Sequence, residues 1–470
     1  MSWRDALKPR PMQRVAVVAL SARLRDALVR VAGLGSVEFD LPIPMADLDP
    51  SEARRRLRRL TRGRQVEATI APVAPNLDEL EHDGRADLLA GEADLADLAA
   101  QATVRGEVSA LVGWTPAAEM ATLAASLAEV GAAAAPLPRP RGVDPPTAGT
   151  PTPARRAFAP LVDAYATVPY ADIDPSIVAG LSYAVMFGAM FGDVGHGAIL
   201  LGAGLLIRSG RPRRLAALGP HWMFIALAGA AATVFGFAYG ECFGPTGLVP
   251  RGLIAPMEQP VTLLVAGVFI GVMLLAGAYA IAIIDRIREG GLAVALYAPG
   301  GIAGALLFAG VGLGVAAGYW RLWWLGVAAG VVALAGLVLS YVGLFVSSGG
   351  GGAGAVQAGV ETFDLVVRLG ANILSFARLA AFGLTHAVIG WIVWTATTGL
   401  WSRGPAGAAA AVLVFAIGNA VAFALEALVA AVQALRLEYY ELFSRVFQAE
   451  GRPFRPWHLA VEPAPVEESI

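Results

Sequence analysis

Arg378 lies within Ile373-Leu374-Ser375-Phe376-Ala377-Arg378-Leu379-Ala380-Ala381-Phe382, a stretch with no other charge. A guanidinium keeps its proton in proteins, so a positive charge there is permanent. Holding an ionisable group at the centre of a membrane helix costs at least about 2.5–3.5 kcal/mol, and such groups by default mark function. The same run carries Asp364, Arg368 and His386. At 100° per residue Asp364 falls about 40°, and His386 about 80°, from Arg378 around a continuous helix. One stripe then holds an acid, a fixed cation and an imidazole. The next apolar run repeats the pattern with Glu426, Gln433, Arg436 and Glu438, where Glu426 and Gln433 are about 20° apart. For each charge a structural reading stands beside this one: an intramembrane ion pair, such as Asp364 with Arg368, or an interfacial position, as for Glu438 and Arg445. A third stretch, Phe187-Gly188-Ala189-Met190-Phe191-Gly192-Asp193-Val194-Gly195-His196-Gly197, sets Asp193 and His196 among glycines. Its Gly188 and Gly192 have GxxxG spacing, as in a helix-packing surface; the aspartate and histidine point to a broken helix or a wet cavity.

These residues need membrane helices to hold them, and composition supplies them. The chain has 470 residues, 56% hydrophobic and 15% charged, with 55 glycines, too apolar for an ordinary soluble protein. Disorder and a disulfide scaffold are excluded, because Cys242 is the only cysteine. A net charge of -2 argues against nucleic acid or another polyanion as partner. Lys8 is the single lysine, an arginine bias that suggests a GC-rich coding sequence.

Composition changes near residue 175, giving a charged front and an apolar rear. The front offers Val15–Leu20 as an apolar run, too short for a signal-peptide core, and is expected to stay in the cytoplasm. Runs long enough to cross a hydrocarbon layer of about 30 Å lie near 177–207, 221–240, 260–284, 294–318, 322–346, 361–398 and 409–444. Seven single crossings would put the loop of Arg208, Arg211, Arg213 and Arg214 outside, against the positive-inside rule. If 177–207 instead doubles back around Gly192–Gly197, that loop falls inside, as do Asp285–Arg288, the Gly350-rich loop and the tail with Arg445, Arg452 and Arg455. The outer loops then keep Arg251, Arg321 and Arg403. The expected fold is therefore an α-helical polytopic membrane domain of about eight helices, the last two long and tilted, with both termini cytoplasmic. Trp320, Trp323, Trp324, Trp391, Trp394 and Trp401 would gather at the outer interface.

In the front, Gln13–Ala19, Ser21–Val31 and Ser36–Leu41 read as strand, helix, strand, a small α/β domain. The basic stretch Arg54–Arg64 and the acidic stretch Asp78–Asp97 read as solvated helix faces rather than binding sites. A second lobe is expected from Val104, with Val108–Trp114 as strand and Ala117–Val130 as helix. A proline-rich linker covers 135–155. The domain boundaries expected are 1–165 and 166–470.

Three membrane stretches together resemble a known family. Phe187–Gly197 is similar to the FGxMxGDxGxG block of V-type ATPase subunit I, the bacterial relative of eukaryotic subunit a. Ser375-Phe376-Ala377-Arg378-Leu379 with His386 resembles its SYxRL...LAH segment. Leu425-Glu426-Ala427, Ala434-Leu435-Arg436-Leu437-Glu438 and Phe443-Ser444 resemble its LEG...HALRLHWVEFFSKF segment. Gly113-Trp114-Thr115-Pro116 and Tyr170–Pro175 match two weaker landmarks, GWxP and YxxxDP.

The resemblance implies a stator subunit in a bacterial plasma membrane. Its partners would be a rotor ring of proteolipid c or K subunits, peripheral stalk subunits reached through the front domain, and the other ATPase subunits. It implies that Arg378 is the essential arginine and Arg436 the second one, that Asp364 and Glu426 are acidic half-channel positions, and that His386 is the channel histidine. Gln433 stands where the family often has histidine. Asp193, His196, Ser375 and Glu438 are possible supports. No P-loop GxxxxGK[ST] occurs, so ATP hydrolysis belongs to another chain; no cofactor and no metal are expected. The arm between the front lobes is reduced to roughly 50–103. Two other classes stay open, a proton-coupled secondary transporter and a non-conducting scaffold; the transporter would be supported by inverted repeats, and none is seen.

Overall fold

A computed structural model describes residues 9–41, 49–61, 64–149, 152–210, 213–250, 252–447 and 451–462, with residues 213–216 as backbone only. Lys8, Arg211 and Arg251 lie outside the described residues. The described residues divide into two compact units, 9–149 with 451–462, and 152–447.

The first unit is built on β1 (Met12–Leu20), whose Val15, Val17 and Ala19 are buried. α1 (Leu24–Leu34) follows and ends at Gly35, whose φ of 57° suits a residue without a Cβ. The remaining elements are β2 (Glu38–Phe39), α2 (Glu52–Thr61), β3 (Thr69–Ile70), α3 (Leu77–His82), α4 (Ala86–Ala99), β4 (Thr103–Arg105), β5 (Val108–Pro116), α5 (Met120–Ala128), β6 (Ala133–Leu137) and β7 (Ala460–Val461). The sheet order is β2-β5-β1-β6, with β4 also on β5. β5 pairs antiparallel with β1 from Met12↔Pro116 to Leu20↔Val108. The stretch after Val104 thus completes the first sheet and is not a separate lobe, because β5 supplies the neighbour that β1 needs. Leu28 and Val31 of α1, Leu123 and Leu127 of α5, and Leu95 and Leu98 of α4 share one core.

The two charged stretches neutralise each other. Arg54 Nη2 lies 2.6 Å from both Asp94 and Asp97, Arg59 lies 3.0 Å from Glu81, and Arg56 pairs with Glu52 and Asp78. The tail also belongs to this unit, not to the membrane part where its sequence position put it. β7 pairs in parallel with β3, Trp457 packs edge-on to Phe39 at 6.1 Å, and Arg452 pairs with Glu38 at 3.0 Å. Thr147, within the proline-rich stretch, donates its N–H to the Arg452 carbonyl at 2.7 Å.

The second unit is helical: α6 (Pro153–Asp163), α7 (Ser176–Met190), α8 (Val194–Arg208), α9 (Trp222–Tyr239), α10 (Pro260–Tyr297), α11 (Ile302–Trp320), α12 (Trp323–Ser347), α13 (Gly351–Ser375), α14 (Ala377–Trp401) and α15 (Gly404–Leu437). Among the described residues, six helical stretches are long and apolar enough to cross a membrane. α7 and α8, at 15 residues each, are about 22 Å long, short of a hydrocarbon layer of about 30 Å.

Their packing on α9 fixes the turn between them. Along α7, Tyr183 meets Phe224 at 4.8 Å, Gly188 meets Ala231 and the Ala189 carbonyl accepts from Tyr239 Oη at 2.9 Å, so α7 runs parallel to α9. Along α8, Val194 meets Gly236, Gly197 meets Thr233, Leu201 meets Gly229 and Gly204 meets Ala226, so α8 runs antiparallel to it. The 177–207 run therefore doubles back, at Phe191–Asp193. Glycines on both helices permit this close approach, since a Cβ at each would overlap its neighbour.

Two stretches depart from the sequence reading. Asp285–Arg288 is not a loop: α10 continues helically through it and turns at Gly291, φ 79°. Asp285 is fully buried and accepts the Ile173 N–H at 2.9 Å. The Arg378 helix is also not continuous: it breaks at Phe376, whose buried ring packs where Gly271 leaves room. The angles that set Asp364 and Arg378 on one stripe therefore do not hold across residue 376.

Candidate functional site

Two clefts are lined by residues that precede and follow Arg378 in the chain. The first, ≈ 320 Å³, is lined by Glu361, Asp364 and Arg368 of α13, by Ser444 and Arg445, and by Pro299, Gly300, Leu344 and Leu365. Spacing of four residues brings Asp364 and Arg368 together; Asp364 Oδ2 lies 2.6 Å from Arg368 Nε, with both side chains well exposed. Asp364 thus has the ion pair that the structural reading offered.

The second cleft, ≈ 250 Å³, is lined by Phe382, Thr385, His386 and Ile389 of α14, by Leu425, Glu426, Val429 and Ala430 of α15, and by Met190. His386 Nδ1 is bonded to Glu426 Oε2. Its Nε2 faces Asp193 Oδ2 at 3.9 Å. Asp193 caps α8: Oδ1 accepts the His196 N–H at 2.9 Å, and Oδ2 accepts the Gly244 N–H at 3.0 Å. The broken-helix reading of the 187–197 block is the observed one. Phe191, Phe243 and Phe423 wall in the His196 ring at 5.8, 5.2 and 5.6 Å.

Arg378 itself is half-buried, and its Nη1 has no hydrogen-bond partner among the described residues. Arg436 and Glu441 are its charged neighbours, and Ser375 adjoins Glu441. Gln433 Oε1 and Glu426 Oε1 are likewise buried and unpartnered among the described residues. Glu438, 1% exposed, begins a π-helical turn (Glu438–Phe443) and lies 2.8 and 2.9 Å from Ser182 Oγ. It is therefore inside the bundle and not at an interface.

The model of the V-type ATPase 116 kDa subunit family matches residues 99–246, a stretch that holds Gly113–Pro116, Tyr170–Pro175 and the whole Asp193 turn. Over that stretch the chain is similar to that family. Among similar proteins, the A-type ATP synthase subunit I of Halobacterium salinarum is 28% identical over 370 residues, covering 64% of this chain and 50% of the relative. That of Archaeoglobus fulgidus is 26% identical over 433 residues, 78% of this chain and 61% of the relative. The V-type ATP synthase subunit I 2 of Treponema pallidum is 37% identical over 114 residues, 24% of each. The chain spans about half the length of the first of these relatives.

Glu426, His386, Asp193 and His196 come together, while Asp364 with Arg368 lines a separate cleft, and Arg378 and Arg436 are neighbours. The sequence reading missed Glu441, Ser182 and Glu241. Glu441 carried a signal, being three residues beyond Glu438 and so near it on a helix. Ser182 had none. Glu241, 5% exposed with Oε2 unpartnered among the described residues, joins the Asp193 turn by its carbonyl, which accepts the Val194 N–H at 2.9 Å.

Proposed function

We propose that the chain is the membrane stator subunit of a rotary V/A-type ATPase, supplying two offset ion half-channels and the arginine that faces a ring of rotor carboxylates. One observation carries this reading. Residues 361–368 and 444–445 line one cleft, residues 382–389 and 425–430 line the other, and in both helical stretches the arginine, 378 or 436, falls in the gap. Along α13 and α14 the rise from Asp364 to Arg378 is about 21 Å, and from Arg378 to His386 about 12 Å. A fixed cation between two access paths is what a rotary ion motor requires.

An exposed apolar stripe on α15 supports a large partner. Ile417, Val421, Leu425, Leu428 and Val432 are each at least half exposed and fall within about 80° of one another around the helix. A ring of apolar helices fits that stripe. In low dielectric, Arg378 stabilises a rotor carboxylate in its charged form, which lowers its pKa and releases the proton. Turned toward lipid, the same carboxylate is stable only when neutral. Rotation past Arg378 thereby couples to ion transfer, and the permanent charge blocks direct passage between clefts. The Asp364 cleft serves the cytoplasmic side and the Glu426–His386 cleft the outer side, in a plasma-membrane arrangement of about eight helices, α7 and α8 forming a short hairpin, with both termini cytoplasmic. Peripheral stalk subunits dock on the first unit, and the rotor ring sets whether the ion is H⁺ or Na⁺.

The test is Arg378→Ala in the assembled complex, reconstituted into vesicles. ATP-driven ion uptake should disappear while rotor and stalk subunits still copurify. Uptake at the unsubstituted rate would end the half-channel reading.

A further inference from the structure

Asp193, His196 and His386 are buried, and one ligand atom from each lies within 4.8 Å of the others. We propose that they form a binding site for a divalent transition ion, of which zinc is the best chemical match. Two imidazoles and a carboxylate form a zinc donor set, with ligand atoms about 2.0–2.2 Å from the metal and a fourth position for water. His196 Nδ1 lies 3.8 Å from Asp193 Oδ1, and His386 Nε2 lies 3.9 Å from Asp193 Oδ2. Tetrahedral closure brings such atoms to roughly 3.3 Å apart, a movement within the reach of side-chain rotation.

Two independent observations point to a ligand. Both ring nitrogens of His196, a residue 3% exposed, have no hydrogen-bond partner among the described residues; the Asn419 side chain lies against that ring as a weak hydrogen-bond neighbour. A buried polar group in that state is costly unless something occupies it. The second observation is on His386. Its Nδ1 is held by Glu426, leaving Nε2 directed at the cluster. A carboxylate on the far nitrogen of a metal-bound histidine fixes the ring and raises its basicity. The walls of Phe191, Phe243 and Phe423 restrict further ligands, which favours four-coordinate zinc over six-coordinate ions. Sequence alone shows only half of this site, because Asp193 and His196 are three residues apart while His386 comes from a distant helix.

Cobalt(II) added to the purified protein in detergent is the spectroscopic probe. It should bind at one ion per chain with intense visible bands of tetrahedral type, and zinc should displace it. His196→Cys should add a sulfur-to-cobalt charge-transfer band in the near ultraviolet, a gain that a misfolded variant cannot give. Glu426→Gln should weaken binding about 10- to 100-fold. No tetrahedral spectrum in the unsubstituted protein, or a spectrum unchanged by His196→Cys, overturns the site. A filled site also occupies His386 and Asp193; that consequence rests on the half-channel reading, and zinc should then stop ATP-driven uptake in the assembled complex. Full cobalt occupancy with uninhibited uptake leaves the metal site standing and overturns the outer-path role of His386.

Discussion

The two units treat their arginines differently. In the first, Arg25, Arg54, Arg56, Arg59 and Arg85 each face one or more carboxylates. In the second, Arg155, Arg286 and Arg368 are paired as well, but Arg378 Nη1, Gln433 Oε1 and Glu426 Oε1 are buried with no partner among the described residues. An unsatisfied buried polar group costs about 1–3 kcal/mol, more when charged. Paired charges hold the first unit together, and under the proposed function the open ones in the second would meet a partner from another chain. If this contrast is right, substitutions in the second unit should remove transport and leave the fold, and those in the first should do the reverse.

The largest effect is expected at Arg378. Arg378→Gln should abolish ion uptake with normal assembly, as the alanine variant does. Arg378→Lys is the sharper experiment: a lysine ammonium loses its proton readily when desolvated, and a guanidinium does not. Uptake should fall at least about tenfold and decline further as pH rises. A pH-independent lysine variant would break the requirement for a permanent charge. Next in size is Glu426→Gln, which removes the charge from the His386 partner. Uptake should fall roughly tenfold, with ATP hydrolysis coupled to the same extent. Asp364→Asn is the matched control on the other cleft, and equal losses from both sides would support two access paths in series.

How far this was legible in the sequence follows from where each signal is stored. The turn at Phe191–Asp193 could be read because four arginines at 208–214 made a single crossing inconsistent with charge placement. The break at Phe376 could not, since Ser375-Phe376-Ala377 contains neither glycine nor proline, and the Phe376 ring packs against Gly271, about a hundred residues away. The Asp364–Arg368 pair was foreseeable from its spacing alone. By contrast, the convergence of Asp193, His386 and Glu426 depends on how α8, α14 and α15 pack, which periodicity does not encode. The tail was misassigned because Trp457 and Leu459 are isolated apolar residues with no periodic run around them, and only the first unit's core shows what they cover.

A stability effect should come from the first unit. Arg54→Ala strips the partner from Asp97, which is 7% exposed. Loss of a charged hydrogen-bond partner at a buried carboxylate costs about 2 kcal/mol. The expected result is a lower Tm of the first unit's transition, read by calorimetry on the full chain, with the ion uptake of assembled complexes unchanged at low temperature. Loss of uptake without loss of stability would break the contrast between the units from the other side.

The smallest effect concerns Asp172, between α6 and α7. It is 2% exposed, and its Oδ1 has no partner among the described residues. Burial first, then the carboxylates of Asp285 and Glu289, push its pKa up from 3.8 to about 7, with Arg286 opposing. A carboxyl whose pKa is higher folded than unfolded stabilises fully below its unfolded value, and that contribution is lost as pH rises through the folded value. The window is therefore from about pH 4 to about pH 7. Asp172→Asn, neutral at every pH, removes the penalty on the alkaline side. Its Tm should exceed that of the unsubstituted chain by about 2 °C at pH 8, and the gap should close near pH 4. A constant gap across that range would mean that the side chain acts by packing and not by its charge. Asp172 would then join the paired, structural charges typical of the first unit.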